Sequence, residues 1–391
     1  MNMLSKPLLD GIEKHFDEAF DLSMWLTTHP EISGEEKESS RHVIEFLRER
    51  GYTVESPYCG VDYSFRAHHE NAKDSGKPKI AIMCEYDALP EVGHACGHSI
   101  SCAISLLSAL ALNDAFKDFP FQVDLIGTPA EETIGGKVIL ARNGAFDGYA
   151  FAIMGHIDSI NAPQIRVLAC NDMYITFKGV SAHASTRPWE GVSALNAAQL
   201  FMHAVDLQRV HYKPFMQIHG IIEDGGKVPN TIPDKVVLDY YLRAQSLKEL
   251  EELHVMTLRS IKGVALATGT TYTVKQRYDT YAELFYPPTA TQVITELFEE
   301  IGEAVEPMEL PEGSTDAGNV DVVIPTFHLE IKGSDTYTNF HTKEFEKLMY
   351  GERAKKTLRN GTRVIAGFIQ RLAFDSELFE KIKEEYRAYR A

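Results

Sequence analysis

The chain has 391 residues, with 39 Lys+Arg against 56 Asp+Glu and a formal net charge of −17. That balance argues against a phosphate-neutralising nucleic-acid interface and against binding to an anionic membrane surface. At 44% hydrophobic and 24% charged residues, the composition is that of an ordinary globular chain, neither disordered nor collagen-like, and long enough for a core without staples.

No window approaches the ~18 consecutive apolar residues of a spanning helix. The first ten residues hold Lys6 and no apolar stretch of signal-peptide length, so no secretory signal is expected. Five cysteines (Cys59, Cys84, Cys96, Cys102 and Cys170) have no regular spacing and do not read as a disulfide framework. A reducing, cytoplasmic location is the expectation.

Residues 11–27 carry Ile12, Phe16, Phe20 and Trp25 at helical spacing. Ser33-Gly34-Glu35-Glu36 matches a capping box ahead of a second helix, which carries Val43, Ile44 and Leu47 and stops at Gly51. Residues 79–84, 121–127 and 149–155 are near-continuous apolar runs, as strands buried on both faces should be. Helical stretches at 100–112 and 137–143 lie between them. This order predicts an α/β fold with a mostly parallel sheet covered by helices on both faces.

From about residue 167 the pattern changes. A strand at 175–178, a helix at 192–210, alternating strands at 215–222 and 235–242, a helix at 247–268 and a strand at 270–276 follow. That order is the split βαβ, ferredoxin-like arrangement. The pattern of the first third resumes after Pro287-Pro288, with a helix at 291–301, a strand at 325–331 and a helical tail over 344–374. The expected organisation is a catalytic domain in two parts, 1–166 and 284–391, around an inserted α+β domain at 167–283.

Candidate chemistry clusters after the apolar strands, where open α/β sheets bind ligands. Glu85-Tyr86-Asp87 follows the first, Glu131-Glu132 the second, His156 the third, and His341 the last. His94-Ala95-Cys96-Gly97-His98 is the sharpest local feature, because thiolate and imidazole are good zinc ligands and glycine permits a tight path. Alone, that pair fits a buried thiol beside surface histidines equally well. One thiolate, three imidazoles and two carboxylates together exceed the four ligands of one zinc ion. They suit two metal ions with a bridging ligand. In the inserted domain, His183 within 179–185, Asn230 and Arg243 are turn and surface residues by position, or donors to an anionic group.

No Gly-x-Ser-x-Gly elbow, P-loop or dinucleotide fingerprint is present. A cysteine-nucleophile hydrolase using Cys96, and a catalytically silent binding protein on the same fold, remain as alternatives.

Tyr86-Asp87-Ala88-Leu89-Pro90, Gly93-His94-Ala95-Cys96-Gly97-His98 and Pro129-Ala130-Glu131-Glu132 occur in that order. They are joined by 179–185, 225–233, 314–320 and Asn339-Phe340-His341. The set resembles the di-metal amidohydrolases of the aminoacylase and glutamate-carboxypeptidase superfamily, in the branch of aminobenzoyl-glutamate hydrolase, indole-acetyl-amino-acid hydrolase and β-alanyl-lysine-type dipeptidases. The resemblance implies a zinc-peptidase-like fold that hydrolyses small N-acyl or N-aminoacyl amino acids. It implies two divalent ions (zinc or manganese, with cobalt possible) held by Cys96 as bridge, His98, Glu132, His156 and His341. Glu131 would be the general base, and Asp87 would orient a ligand histidine. The insertion would be a lid and homodimerisation domain. His183 would cross to the partner's site, and Asn230 and Arg243 would hold substrate. Ser99, where the branch usually has Asp or Asn, is a departure, as is Glu85 where relatives often have Asp.

Overall fold

The computed structural model describes residues 4–70, 76–306, 308, 310–311 and 313–391. The chain forms two compact units, Met1–Arg166 with Leu284–Ala391, and Val167–Glu283.

The first unit begins with helix α1 (Lys6–Thr28), which starts five residues ahead of the apolar pattern. Ser5 caps it through an Oγ that accepts the Leu8 N–H, and Pro7 suits its first turn. Leu8, Ile12, Phe16, Ala19, Leu22 and Leu26 form its buried stripe. Helix α2 (Lys37–Arg48) corrects the expected capping box. It starts after Glu36, and its first N–H groups are instead met by Glu31, which accepts from Glu38 and Ser39 at 3.1 and 2.6 Å.

Strands β1 (Tyr52–Glu55) and β2 (Phe65–His69) precede β3 (Lys79–Cys84), α3 (His98–Ala115), β4 (Gln122–Gly127), α4 (Gly136–Arg142) and β5 (Tyr149–Asp158). The second unit contains β6 (Ala169–Lys178), α5 (Ala194–Gln208), β7 (Gln217–Asp224), β8 (Lys235–Ala244), α6 (Leu247–Thr268) and β9 (Thr271–Lys275). The chain then returns with α7 (Pro288–Glu300), α8 (Ala317–Asp321), β10 (Thr326–Lys332), α9 (Lys343–Glu346), α10 (Gly351–Phe374) and α11 (Ser376–Arg390). The expected helical tail over 344–374 is divided into α9 and α10, with a left-handed Gly351 at the start of α10.

The first unit's sheet has the order β1-β2-β4-β3-β5-β10. β4, β3, β5 and β10 are mutually parallel, while β1 and β2 add an antiparallel edge. Helix α3 is buried from His98 to Leu112 and packs on α1, α10, β3 and β5. A helix covered on every side has no reason to be amphipathic, which explains its uniformly small and apolar sequence. Its position also means that truncating Leu106 or Leu107 would cost about 2–5 kcal/mol.

The second unit has an antiparallel sheet of order β7-β8-β6-β9. Its separate core includes Phe177, Phe201, Leu238, Leu253 and Ile261. Among the described residues, no helix is long and apolar enough to cross a membrane.

Candidate metal and hydrolytic site

The parallel strands deliver the candidate side chains to one edge of the first unit's sheet. β3 runs directly into Glu85 and Asp87, and β4 into the turn carrying Glu131 and Glu132. His156 lies near the end of β5, in register with Glu330 on the adjacent β10. Cys96 immediately precedes the left-handed Gly97, which caps α3, and His98 is the first residue of that helix. A Cβ on Gly97 would lie 2.7 Å from Ile157 Cβ, so only glycine lets this segment pass so close to β5. Gly136 plays the same part beside the acidic turn, where a Cβ would lie 1.8 Å from the Pro129 carbonyl oxygen.

Two groups of donor atoms form around one thiol. Cys96, His98 and His156 make the first, and Cys96, Glu132 and His341 the second. Within each, the donor atoms lie within 4.8 Å of one another. Cys96 Sγ is 3.6 Å from His156 Nε2, and His341 Nε2 is 3.5 Å from Glu132 Oε1. His341 is held by its N–H, which donates to the Ala95 carbonyl at 3.0 Å, in a left-handed conformation (φ 61°).

Asp87 ties two of these loops together. His98 Nδ1 is hydrogen-bonded to the Asp87 backbone carbonyl at 2.9 Å and also lies 2.9 Å from carboxylate Oδ1, while Oδ2 accepts the Glu132 N–H at 3.1 Å. His156 Nδ1 faces Glu330 at 3.5 Å. These contacts leave the Nε2 of His98 directed away from Asp87, and it is buried without a hydrogen-bond partner. Glu132 Oε1 has no hydrogen bond beyond the 3.5 Å approach of His341. Buried polar atoms without partners are expensive, and a soft-plus-hard donor set of thiolate, imidazoles and carboxylate around them fits a transition-metal or zinc ion.

The electrostatics agree. Burial would raise the Cys96 thiol, but His98 and His156 outweigh it and lower the group, favouring thiolate. Burial would push His98 down, yet Asp87, Glu85 and Cys96 raise it well above its ordinary value. His341 is raised to about 10 by its contacts with Cys96 and Glu132. The cluster is an anionic pocket that draws positive charge.

Glu131 lies beside these groups, with its Oε1 accepting from Thr315 Oγ1 at 3.3 Å. Its carboxyl is raised well above the usual range by burial and by the charges of Asp316, Glu85 and Glu132. Behind it lies a cation that the helical pattern of 137–143 does not reveal. Lys137 is fully buried, with Nζ 2.5 Å from Glu85 and 2.6 Å from Asp316. Ser99 accepts a hydrogen bond from Thr27 on α1 at 2.8 Å, which is where the departure at this position is used.

The remaining three candidates are in the second unit. His183 and Asn230 are brought together there, because the Ala184 N–H donates to the Asn230 carbonyl and His183 bridges to Thr231. The backbone N–H of Ser185 donates to His183 Nδ1 at 3.3 Å, which leaves the neutral ring's proton on Nε2. Arg243 is near the far end of β8 from that cluster, whose Gly179 bonds Asp234 at the strand's start. Nine residue steps of extended chain run from Asp234 to Arg243, about 30 Å.

Residues 81–371 match the peptidase family M20/M25/M40. The chain belongs to that family. It is 31% identical to the Xaa-Arg dipeptidase of Mus musculus over 99% of this chain and 93% of that one. Two solved structures share the fold. A putative aminohydrolase from methicillin-resistant Staphylococcus aureus superposes with a TM-score of 0.79 at 22% identity, covering 95% of this chain and all of that one (100%). A dinuclear metal-binding peptidase of Bacillus subtilis from the M20 family gives 0.71 at 18% identity, over 92% and 99%. The protein is therefore a hydrolase of amide bonds, in the branch that the sequence motifs resemble.

Proposed function

We propose that the chain hydrolyses the amide bond of small N-acyl or N-aminoacyl amino acids, with Glu131 as general base. The observation that carries this reading is the pair of donor groups sharing Cys96, with Glu131 alongside. Two divalent ions, zinc or manganese or alternatively cobalt, held by Cys96, His98, Glu132, His156 and His341, would lower the pKa of water from about 15.7 toward about 7.

Glu131 takes the proton from the attacking water and returns it to the leaving nitrogen. Its raised affinity for a proton suits both halves of that task. Asp87 fixes the tautomer and tilt of His98. His183 Nε2–H stabilises the developing oxyanion, and Asn230 and Arg243 hold the substrate, with its free carboxylate the natural partner of the guanidinium. The loop of His183 is tied near the start of β8 and Arg243 lies near its end, an arrangement that suits a homodimer through that domain with His183 serving the partner's site. Strand β7 lies at an edge of the four-stranded sheet with Ile221 and Ile222 exposed, a surface suited to such an interface. A metal-binding thiolate also favours a reducing, cytoplasmic setting.

A panel tests the reading: dipeptides ending in arginine or lysine, β-alanyl dipeptides, aminobenzoyl-glutamate and N-acetyl amino acids, each assayed with added zinc, manganese or cobalt. Hydrolysis abolished by a chelator and restored by metal is expected. Activity that survives chelation and is lost to thiol alkylation would favour a Cys96 nucleophile instead. Glu131→Gln should retain metal and lose turnover, and substantial activity in that variant would remove Glu131 as the base.

A further inference from the structure

The segment between α1 and α2 looks, in the sequence, like the start of a helix. Glu31 takes over that task, since it accepts the first N–H groups of α2. Glu36 is thereby released from helix capping. It is fully buried and turned inward, and its Oε1 accepts two backbone N–H groups, that of Gly34 at 2.9 Å and that of Ala130 at 2.7 Å. Ala130 is 94 positions away in the chain and immediately precedes Glu131 and Glu132.

Ala130 is an alanine in the left-handed region, with φ 61°. That conformation costs roughly 1–2 kcal/mol for a residue with a Cβ, so the surroundings must hold it there. Its carbonyl accepts from Gly135 and Gly136 at 3.0 and 3.3 Å. Its N–H has Glu36 as partner. The same segment also grips the other ligand-bearing loop. The Ser33 N–H donates to the Ala88 carbonyl at 3.1 Å, and the Ala88 N–H donates to the Glu31 carbonyl at 2.8 Å, one residue from Asp87. Ser33 Oγ lies 2.9 Å from Thr133 Oγ1. Residues 31–36 thus clasp the Asp87 loop on one side and the Glu131–Glu132 turn on the other.

We propose that Glu36 is a positioning residue for hydrolysis: by anchoring the Ala130 N–H it holds the left-handed turn that sets where the carboxylates of Glu131 and Glu132 lie. The proposal rests on the roles given to those two residues under the proposed function. A buried carboxylate whose hydrogen bonds go only to backbone N–H groups is a costly way to fill space, and an apolar side chain would fill it more cheaply. Its use is the fixed geometry of the turn. Without the anchor, Ala130 can relax to negative φ, and the direction of the two following residues changes with it.

The test compares Glu36→Ala, Glu36→Asp and Glu36→Gln in the metal-saturated enzyme, with Glu131→Gln made alongside. Glutamine keeps an acceptor oxygen in place, while aspartate keeps the charge but is one methylene too short to reach Ala130. The alanine and aspartate variants should lose about thirtyfold or more in kcat, as expected for sub-ångström misplacement of reacting groups, with KM changed by less than about threefold. The glutamine variant should stay within about threefold of wild type, because the anchor survives. If the alanine variant does not fold, the aspartate and glutamine pair still decides the matter. Wild-type kcat in the aspartate variant overturns the proposal. An equal loss in glutamine and aspartate variants also overturns it, because an acceptor oxygen at full length would then not be enough to hold the turn. An active Glu131→Gln enzyme would instead strike the base assignment, a result separable from the Glu36 series.

Discussion

Replacing Lys137 by methionine removes one charge from the interior and little else. The ammonium is fully buried and lies 2.5 Å from Glu85 and 2.6 Å from Asp316, two carboxylates that are themselves almost wholly buried. Methionine is close to lysine in length and volume, so the packing term is small. The loss is then electrostatic. Deleting one member of a buried ion pair leaves an uncompensated charge and costs about 3–5 kcal/mol, and here two carboxylates lose the same partner. The backbone N–H of residue 137 still donates to Asp316, which keeps the figure within that range. Urea unfolding should therefore show a deficit of about 4 kcal/mol, or a Tm lower by roughly 10 °C for a unit of this size. The deficit should depend on pH with a definite sign. Carboxylates buried without a cation bind protons more readily when folded than when unfolded, so the variant regains stability as pH falls from about 8 to about 5. Adding Glu85→Gln to the variant should recover part of the loss, giving a non-additive double-mutant cycle. A deficit below about 1 kcal/mol, a pH-independent deficit or an additive cycle would each refute the account of Lys137 as the internal counter-ion.

Three other outcomes are expected. His183→Ala should lower kcat by about 10²–10³ with metal content unchanged, as the loss of one oxyanion donor does, and wild-type turnover would remove it from the site. Asp87→Asn should weaken metal binding by about 10–100-fold, read by competition with a chromogenic chelator, since the carboxylate charge facing His98 is lost; unchanged affinity would deny it that role. Burial, with the Asp87 charge adding to it, pushes the Glu36 carboxyl up from 4.5 to about 7. The folded state therefore holds that proton more tightly than the unfolded state, and wild-type stability falls as pH rises through this window. Glu36→Gln does not titrate, so its stability relative to wild type should grow with pH, by up to about 3 kcal/mol above pH 8. A difference that stays flat between pH 5 and 8 would contradict the buried titration.

The parallel strands are legible in the sequence because a strand covered on both faces tends to a continuous apolar run, as β3 and β5 show and β4 nearly so, whereas β10 is buried through most of its length although Phe327, Leu329 and Ile331 alternate with polar residues. Their ends then indicate where Asp87, Glu131, Glu132 and His156 converge, and the structure brings Cys96, His98 and His341 to the same place. β1 and β2 escape notice for the converse reason. They are four and five residues long and only partly buried, so their pattern is weak. Glu36 misleads because a local motif, Ser-x-x-Glu, is satisfied in letters while a contact 94 residues away decides the conformation. Lys137 carries no signal at all. A lysine in the first turn of a helix ordinarily reaches solvent, and its burial depends on Glu85 and Asp316 arriving from distant segments.

The acidic excess around the site is divided between two kinds of cation, and the division explains the position of Glu131. Glu131 is near His98 and Glu132 on one side and near Glu85 and Asp316 on the other, with donor atoms within 4.8 Å in each set. The second set already contains its cation, the Lys137 ammonium, bonded covalently to the chain. The first has only imidazoles to balance its carboxylates, and its mixed donors are the ones that suit exchangeable metal. The proposed base, Glu131, is pushed up by burial and by Asp316, Glu85 and Glu132, while Lys137 pulls it down. Ions held on the Cys96 side would add to the downward pull. Proton transfer in both directions requires this balance, because a carboxylate far below the working pH would not accept the proton and one far above it would not return it. The Lys137 variant should therefore disturb catalysis as well as stability. With the downward pull removed, the acid limb of its kcat profile should move to higher pH than in wild type, and an unmoved limb would mean that Lys137 serves the fold alone.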